Sequence, residues 1–192
     1  MLNRLLAIFR ITVPMALGLV LALACPAMFG QTPTATGTIN ARLIHKNGIA
    51  LVFDTDPAGV TLGASGTSAA TLDFGNISAF GPLSPNVTRP SVTAASFTVR
   101  TVFDVQVIQG GLTSTSYTLR AQLGSTLPVG FTFLVDGVTL VNGPSSIQTN
   151  GAYNVDAPHN LDLRVSTAAP GAGGPAVNTP LTTVINFQAS AN

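Results

Sequence analysis

The residues able to do chemistry are few: two histidines, His45 and His159, a single cysteine, Cys25, and seven aspartates without one glutamate. A zinc site needs three or four His, Cys or carboxylate ligands at defined spacing, and this inventory falls short of a His/Cys set. Asp54-Thr55-Asp56 could set two carboxylates on one face of a strand end for calcium. Pro57 follows at once and the terminal glutamate of an EF-hand is missing, so an aspartate-rich turn is the expectation. His159 stands three residues before Asp162 among abundant serines, which raises a Ser-His-Asp triad. No Gly-x-Ser-x-Gly elbow occurs, however, and Gly63-Ala64-Ser65-Gly66 misses that spacing by one residue. His159 follows Pro158 and is expected in a loop with a solvated side chain. A glycosidase would need a carboxyl pair, and nothing marks two of these aspartates as one. Asp73-Phe74-Gly75 matches the letters of a kinase magnesium motif without a glycine-rich loop, strand lysine or catalytic loop. Asn76-Ile77-Ser78 and Asn86-Val87-Thr88 are glycosylation sequons that matter only in a host using that pathway. No residue is assigned as catalytic, cofactor-binding or metal-ligating, no cofactor is implied, and the chain is expected not to be an enzyme.

The N-terminus points to export. Residues 1–10 carry Arg4 and Arg10 with no acidic residue, and residues 11–24 are apolar, interrupted by Pro14 and Gly18. That is a charged segment followed by a hydrophobic one too short for the roughly 20 residues of a spanning helix, with no stop-transfer pattern after it. Residues 1–30 therefore read as a cleaved signal peptide, with small residues for the peptidase at Ala22 and Ala24 or at Cys25 and Ala27. Ala22-Leu23-Ala24-Cys25 also loosely resembles a lipobox. Lipidation of Cys25 would place the following domain on a membrane, and without it the domain is free in the periplasm or outside the cell. Either way no intrachain disulfide is available, and stability must come from the core.

Residues 31–192 are expected to form one domain, long enough to bury about two thirds of the surface of its unfolded chain. Without Arg4 and Arg10, six basic residues face seven aspartates, a formal charge of −1. No clustered basic face exists for phosphate, which argues against a nucleic-acid partner. Thr, Ser, Val, Ala, Gly and Asn dominate and strong helix formers are scarce, a composition of strands and turns.

Periodicity agrees. Phe97, Val99, Thr101, Phe103, Val105 and Val107 alternate with mostly polar neighbours, and Tyr117, Leu119, Ala121 and Leu123 do so again after Gly110-Gly111, which predicts a long hairpin. A second hairpin is predicted from residues 131–135 and 138–141 around Asp136-Gly137, whose residue types supply the positive φ angles of a type I′ turn. A third pairs residues 39–45 with 49–53 around Asn47-Gly48. Shorter strands are predicted at residues 60–62, 71–77, 161–166 and 181–189, with loops at 63–70, 81–90 and 168–180. Nine or ten short antiparallel strands without an amphipathic helix predict an all-β fold, a single antiparallel β-sandwich of Ig-like or pilin-like Greek-key type, in preference to a barrel. The expected core is Phe97, Val99, Phe103, Val105, Val107, Tyr117, Leu119, Leu123, Phe131, Phe133, Leu161, Leu163, Ile185 and Phe187.

The segment Leu72-Asp73-Phe74-Gly75-Asn76-Ile77 resembles the Leu-x-Phe-Gly-x-Ile strand of bacterial secreted β-sandwich proteins, the spore coat protein U-like and related pilin-like domains. The resemblance implies a secreted structural subunit, in some relatives assembled by strand donation between copies or envelope partners. This chain lacks the paired cysteines common in that group and an aromatic residue next to its C-terminus. Residues 34–43 place Ala35, Gly37, Ile39, Ala41 and Leu43 on one side, a pattern that serves a donated strand and an ordinary first strand alike. The expected function is a secreted, non-enzymatic structural or adhesive cell-surface subunit, fimbria-like. The alternatives are a periplasmic or extracellular ligand-binding module and a surface lipoprotein anchored through Cys25. A carbohydrate module would have no Trp and only Tyr117 and Tyr153 as stacking platforms.

Overall fold

The alternation that begins at Phe97 produces the longest strand, β3 (Ser96–Gly110). The computed structural model describes residues 47–175, 178 and 180–192; the expected signal peptide, Cys25, His45 and the strand expected at 39–45 lie outside them. Along β3, Phe97, Val99, Thr101, Phe103, Val105 and Val107 are buried on one face, while Arg100, Val102, Asp104 and Gln106 are half-exposed on the other. Side chains alternate across a strand, so this face becomes the floor of the core. β1 (Gly48–Asp54) pairs with the C-terminal half of β3 and β2 (Thr88–Val92) with its N-terminal half. β8 (Asp156–Ser166) runs along the opposite side, and β5 (Phe131–Val135) and β6 (Val138–Thr139) complete a six-stranded antiparallel sheet.

A smaller antiparallel sheet has the order β7-β4-β9, from β7 (Ser145–Gly151), β4 (Tyr117–Leu123) and β9 (Ile185–Ala191). It packs on the floor: the Phe187 ring of β9 lies 5.2 Å from Phe53 and 5.7 Å from Phe103, edge-on to both. The fold is thus all-β, two antiparallel sheets face to face, with no helix among the described residues. Five of the eight connections cross from one sheet to the other. Where the smaller sheet does not reach, residues 55–87 cover the floor in irregular conformation. Val60, Leu62 and Val87 are buried there, and Phe74 packs 6.5 Å from Phe133. The Thr101 hydroxyl ties this cover down, accepting from the Val60 N–H at 2.9 Å and donating to the Asn86 carbonyl at 3.2 Å.

Several expectations are corrected here. Residues 97–108 and 116–123 do not form a hairpin: β3 lies between β1 and β8, and the chain after Gly111 (φ 69°) crosses to the other sheet, where β4 pairs with β7 and β9. Alternation had located the buried faces but carried no information on partners, and five non-strand residues after Gly111 make a crossing and not a tight turn. Residues 60–62 and 71–77 are not strands. Apart from a single bridge between Gly63 and Thr71 they are irregular, their apolar side chains serving as the cover just described. β2 and β7 were not foreseen, and β2 begins inside the loop expected at 81–90. β8 starts five residues earlier than residue 161 and β9 begins at Ile185. Of the expected core, Phe131, Ile185 and Phe187 are half-buried and pack on its rim, the last two because β9 is an outer strand. The Asp136-Gly137 hairpin forms at the expected turn, with φ of 49° and 80° and Val135 opposite Val138, but its second arm is the two residues Val138–Thr139 and not 138–141.

Candidate functional site

His159 is not in a solvated loop. β8 runs through Pro158, which lies beyond Leu161, the last β8 residue in register with β5, and there β8 keeps β3 as its ladder partner. His159 therefore sits opposite Phe103 on the inner face, 3 % exposed, its ring 5.9 Å from that phenyl ring. Asp162, three residues on, points to the outer face, so the two cannot form one catalytic pair. Each has a different partner. His159 Nδ1 lies 2.6 Å from Asp136 Oδ2 at the β5–β6 turn, and Asp136 Oδ1 also accepts from the Asn160 backbone N–H at 2.8 Å. A carboxylate acceptor places the proton on Nδ1, which leaves Nε2 buried without a hydrogen-bond partner. No serine or threonine stands at that nitrogen to be activated. Burial drives the Asp136 carboxyl upward, yet the hydrogen bonds from His159 and Asn160 outweigh it and hold the group below the usual carboxylate range. Asp162 takes a bidentate ion pair from Arg100 on β3, at 2.6 and 2.8 Å, and that bond raises the guanidinium further.

The other motifs resolve into turns. Asp56 Oδ1 accepts from the Ala58 N–H at 2.6 Å and Asp54 accepts from the Ser65 hydroxyl at 3.2 Å, so Asp54-Thr55-Asp56 and Gly63-Ala64-Ser65-Gly66 brace one another. Asp54, Asp56 and Asp156 surround Asp104, whose carboxyl is pushed up first by burial and then by those charges. Among the described residues no group of three or more His, Cys, Asp or Glu is disposed to hold a metal ion. Asp73 accepts from the Gly75 N–H at 2.8 Å, a turn that sends Phe74 into the core. Asn86, at φ 61°, donates its amide to the Gly59 carbonyl at 2.8 Å and is structurally committed, whereas Asn76 is exposed. Tyr117 and Tyr153 are buried, their centroids 5.4 Å apart, with hydroxyls on Gln148 and the Ser116 carbonyl. Neither can serve as a sugar platform.

What the geometry does offer is a sheet margin. Outer strands are ordinarily protected by lysines, prolines, bulges or brevity. β6 is two residues long, β2 carries Arg89 and Pro90, and the β7 ladder is irregular. β1 and β9 have no such protection: each is seven residues long and proline-free, and Asp54 is their one charge. Among the described residues β9 pairs with β4 alone, and β1 pairs with β3 and has its outer side taken only at Phe53, by a bridge to Thr67. They lie at the same margin of the two sheets, where Phe53 meets Phe187 and Leu51, Ile185 and Ala189 are half-buried. This margin was missed from sequence because β1 and β9 are remote in the chain and their edge positions follow from topology.

No protein-family model matches this chain, and no curated protein matches it.

Proposed function

We propose that this protein is a secreted, non-enzymatic structural or adhesive subunit of the cell surface, an Ig-like or pilin-like Greek-key sandwich released from a signal peptide over residues 1–30. Its partners are copies of itself or other envelope subunits, joined by adding a strand at the β1/β9 margin. The observation that carries the reading is that margin: two seven-residue, proline-free outer strands side by side, with Asp54 their one charge and apolar side chains half-covered between them. An exposed edge of this kind offers a row of backbone donors and acceptors to an incoming strand, and alternate apolar side chains of that strand would fill the gap. Residues 34–43, with Ala35, Gly37, Ile39, Ala41 and Leu43 on one side, have that alternation. In this reading Cys25 is part of the signal segment. Its lipidation would instead tether the same subunit to a membrane.

The test is the mass in solution, by light scattering after size exclusion, of the chain and of a version lacking residues 31–45. The expected outcome is concentration-dependent polymers of the first, and a monomer of the second that accepts the missing peptide. A lysine at Gln188, exposed on β9, should weaken polymer formation by charging the edge. A stable monomer whose truncated form merely unfolds would make residues 31–45 an integral strand and defeat the proposal.

A further inference from the structure

Two arginines of the large sheet are engaged by the fold: Arg100 pairs with Asp162, and Arg89 donates to the Ser78 carbonyl at 3.1 Å and the Gly81 carbonyl at 2.7 Å. Arg120 is placed differently. It lies in β4, the central strand of the smaller sheet, where Leu119 and Ala121 turn into the core, so its exposed side chain stands on the outer face. Directly opposite are Gln188 on β9 and Ser146 on β7, and the next outward pair along the strands is Gln122 with Asn186. None of Arg120, Gln122, Asn186 and Gln188 has a side-chain hydrogen bond or ion pair with a described residue. The far end of the same face is the reverse. There the Thr118 hydroxyl donates to Asn192 Oδ1 at 2.7 Å, and the Asn192 amide donates to Ser116 Oγ at 2.9 Å.

Those four side chains and Pro144, which stands just before β7, line a recess of about 40 Å³. At roughly 10 to 15 Å³ for each water, that is room for about three waters or one carboxylate group, and not for a sugar ring or an aromatic side chain. Its wall holds one positive charge and no carboxylate. A guanidinium presents a fixed fork of N–H donors that matches the two oxygens of a carboxylate. The three amides beside it carry both donors and acceptors, which matches hydroxyl groups, since those donate and accept in turn. An extended peptide is held by a free strand edge or by apolar anchors. β4 has ladders on both sides, and the recess is too small for an anchor.

We infer that this recess binds the carboxylate of an acidic sugar, a uronate unit of an anionic polysaccharide, with Arg120 on the carboxylate and Gln122, Asn186 and Gln188 on neighbouring hydroxyls. The sugar ring lies across the sheet face and is held by its substituents, so no aromatic platform is needed. Residues 31–192 carry a formal charge of −1, so a polyanion gains no attraction from the protein at large and must be held locally. One shallow contact of this kind is weak alone, and a polysaccharide that meets several copies at once gains by avidity. The inference goes beyond strand addition and does not depend on it: the recess opens on the face of the smaller sheet, whereas the β1/β9 margin is an edge.

The experiment titrates the full chain with a galacturonate tetrasaccharide, its methyl ester, tetraglutamate and inorganic phosphate, by calorimetry at low ionic strength, where charge contributes most. The tetrasaccharide should bind. The ester keeps the hydroxyls without the charge and should bind at least about tenfold more weakly, the scale of a hydrogen bond to a charged group. Arg120→Gln should lose the same factor, and Arg120→Lys should recover part of it, since lysine keeps the charge without the fork. Arg164→Gln, which removes the exposed cation of the large sheet, should bind as the parent does. Both positions are exposed, and thermal melts should confirm that the variants fold like the parent. Equal binding of acid and ester, or equal losses at Arg120 and Arg164, would overturn the site. Tetraglutamate or phosphate bound as tightly as the sugar would overturn the acidic sugar as its ligand. No binding of any probe would overturn the inference and leave strand addition, which light scattering reads separately, untouched.

Discussion

Asp162, on the outer face of the large sheet, and Asp136, at the β5–β6 turn, are each held by a different hydrogen-bonding partner. Asp162 is 5 % exposed and depends on Arg100, whose side chain is 37 % exposed. Removing the arginine strands a buried charge, which costs about 3 to 5 kcal/mol in a fully buried pair. With one partner partly solvated, Arg100→Ala should cost about 2 to 3 kcal/mol in urea unfolding. Replacing both residues, Arg100→Met with Asp162→Leu, should recover most of that loss, since no unpaired charge remains. Asp136 acts through pH. Its carboxyl titrates below its unfolded value, so its stabilising contribution is complete above the usual carboxylate range and is lost as pH falls through the lowered value. Asp136→Asn should therefore lower stability near neutrality by about 1 to 2 kcal/mol and flatten the acid side of the profile. Asp104 has the opposite sign: its raised carboxyl contributes stability at low pH that disappears as pH rises through the raised value. Asp104→Asn should stabilise the protein near neutrality by about 0.5 kcal/mol, the scale of removing a like charge opposite Asp54. Urea midpoints across the acid range separate the two.

At the scale of elements, the close passage of β7 over β4 is the tightest fit in the smaller sheet. Gly151 lies opposite Tyr117, and a Cβ there would run into the tyrosine ring, which is wholly buried and has nowhere to retreat. Gly151→Ala should cost about 1 to 3 kcal/mol, the usual penalty for overpacking, and thermal melts would show it; an unchanged melt would mean β7 yields freely. β7 itself was illegible in the sequence because Ser145-Ser146-Ile147-Gln148-Thr149-Asn150-Gly151 has almost no apolar alternation, and its ladder supplies what its composition does not. The opposite holds for β3 and β4, where alternation marked every buried apolar position yet suggested a hairpin that does not exist. Period-2 patterning reports burial of a face, and partner choice is decided by packing between sheets. The Asp136-Gly137 turn was readable because two positive φ angles demand particular residue types. Pro158 misled for a related reason. Proline argues against a central strand, but the rule weakens where a neighbouring ladder has ended, and His159 was assigned to solvent on its account. The outer margin of β1 and β9, and the partners of His159 and Asp162, are properties of register, which local sequence does not encode.

For the molecule as a whole, the sparse charge decides how association should respond to its medium. Residues 31–192 carry six basic and seven acidic side chains, and several of those are already engaged internally, Arg100 with Asp162, Arg89 with its own turn, and Asp136 with His159 and Asn160. The β9 edge contains no charge, and β1 carries only Asp54 at its end. Contacts between charged surfaces weaken as the Debye length shrinks from about 10 Å at 0.1 M salt to about 3 Å at 1 M. Contacts made by apolar side chains and backbone ladders have little to lose by that route, and sulfate strengthens apolar burial because it is excluded from the protein surface. Association of this chain should therefore change little between roughly 0.01 and 0.5 M sodium chloride, a range over which the Debye length falls from about 30 Å to under about 10 Å, and should grow in ammonium sulfate. Light scattering at fixed protein concentration measures both. Association that collapsed in sodium chloride would place the contact on charged residues such as Arg120 or Arg164, and away from the apolar stretch of the β1/β9 margin.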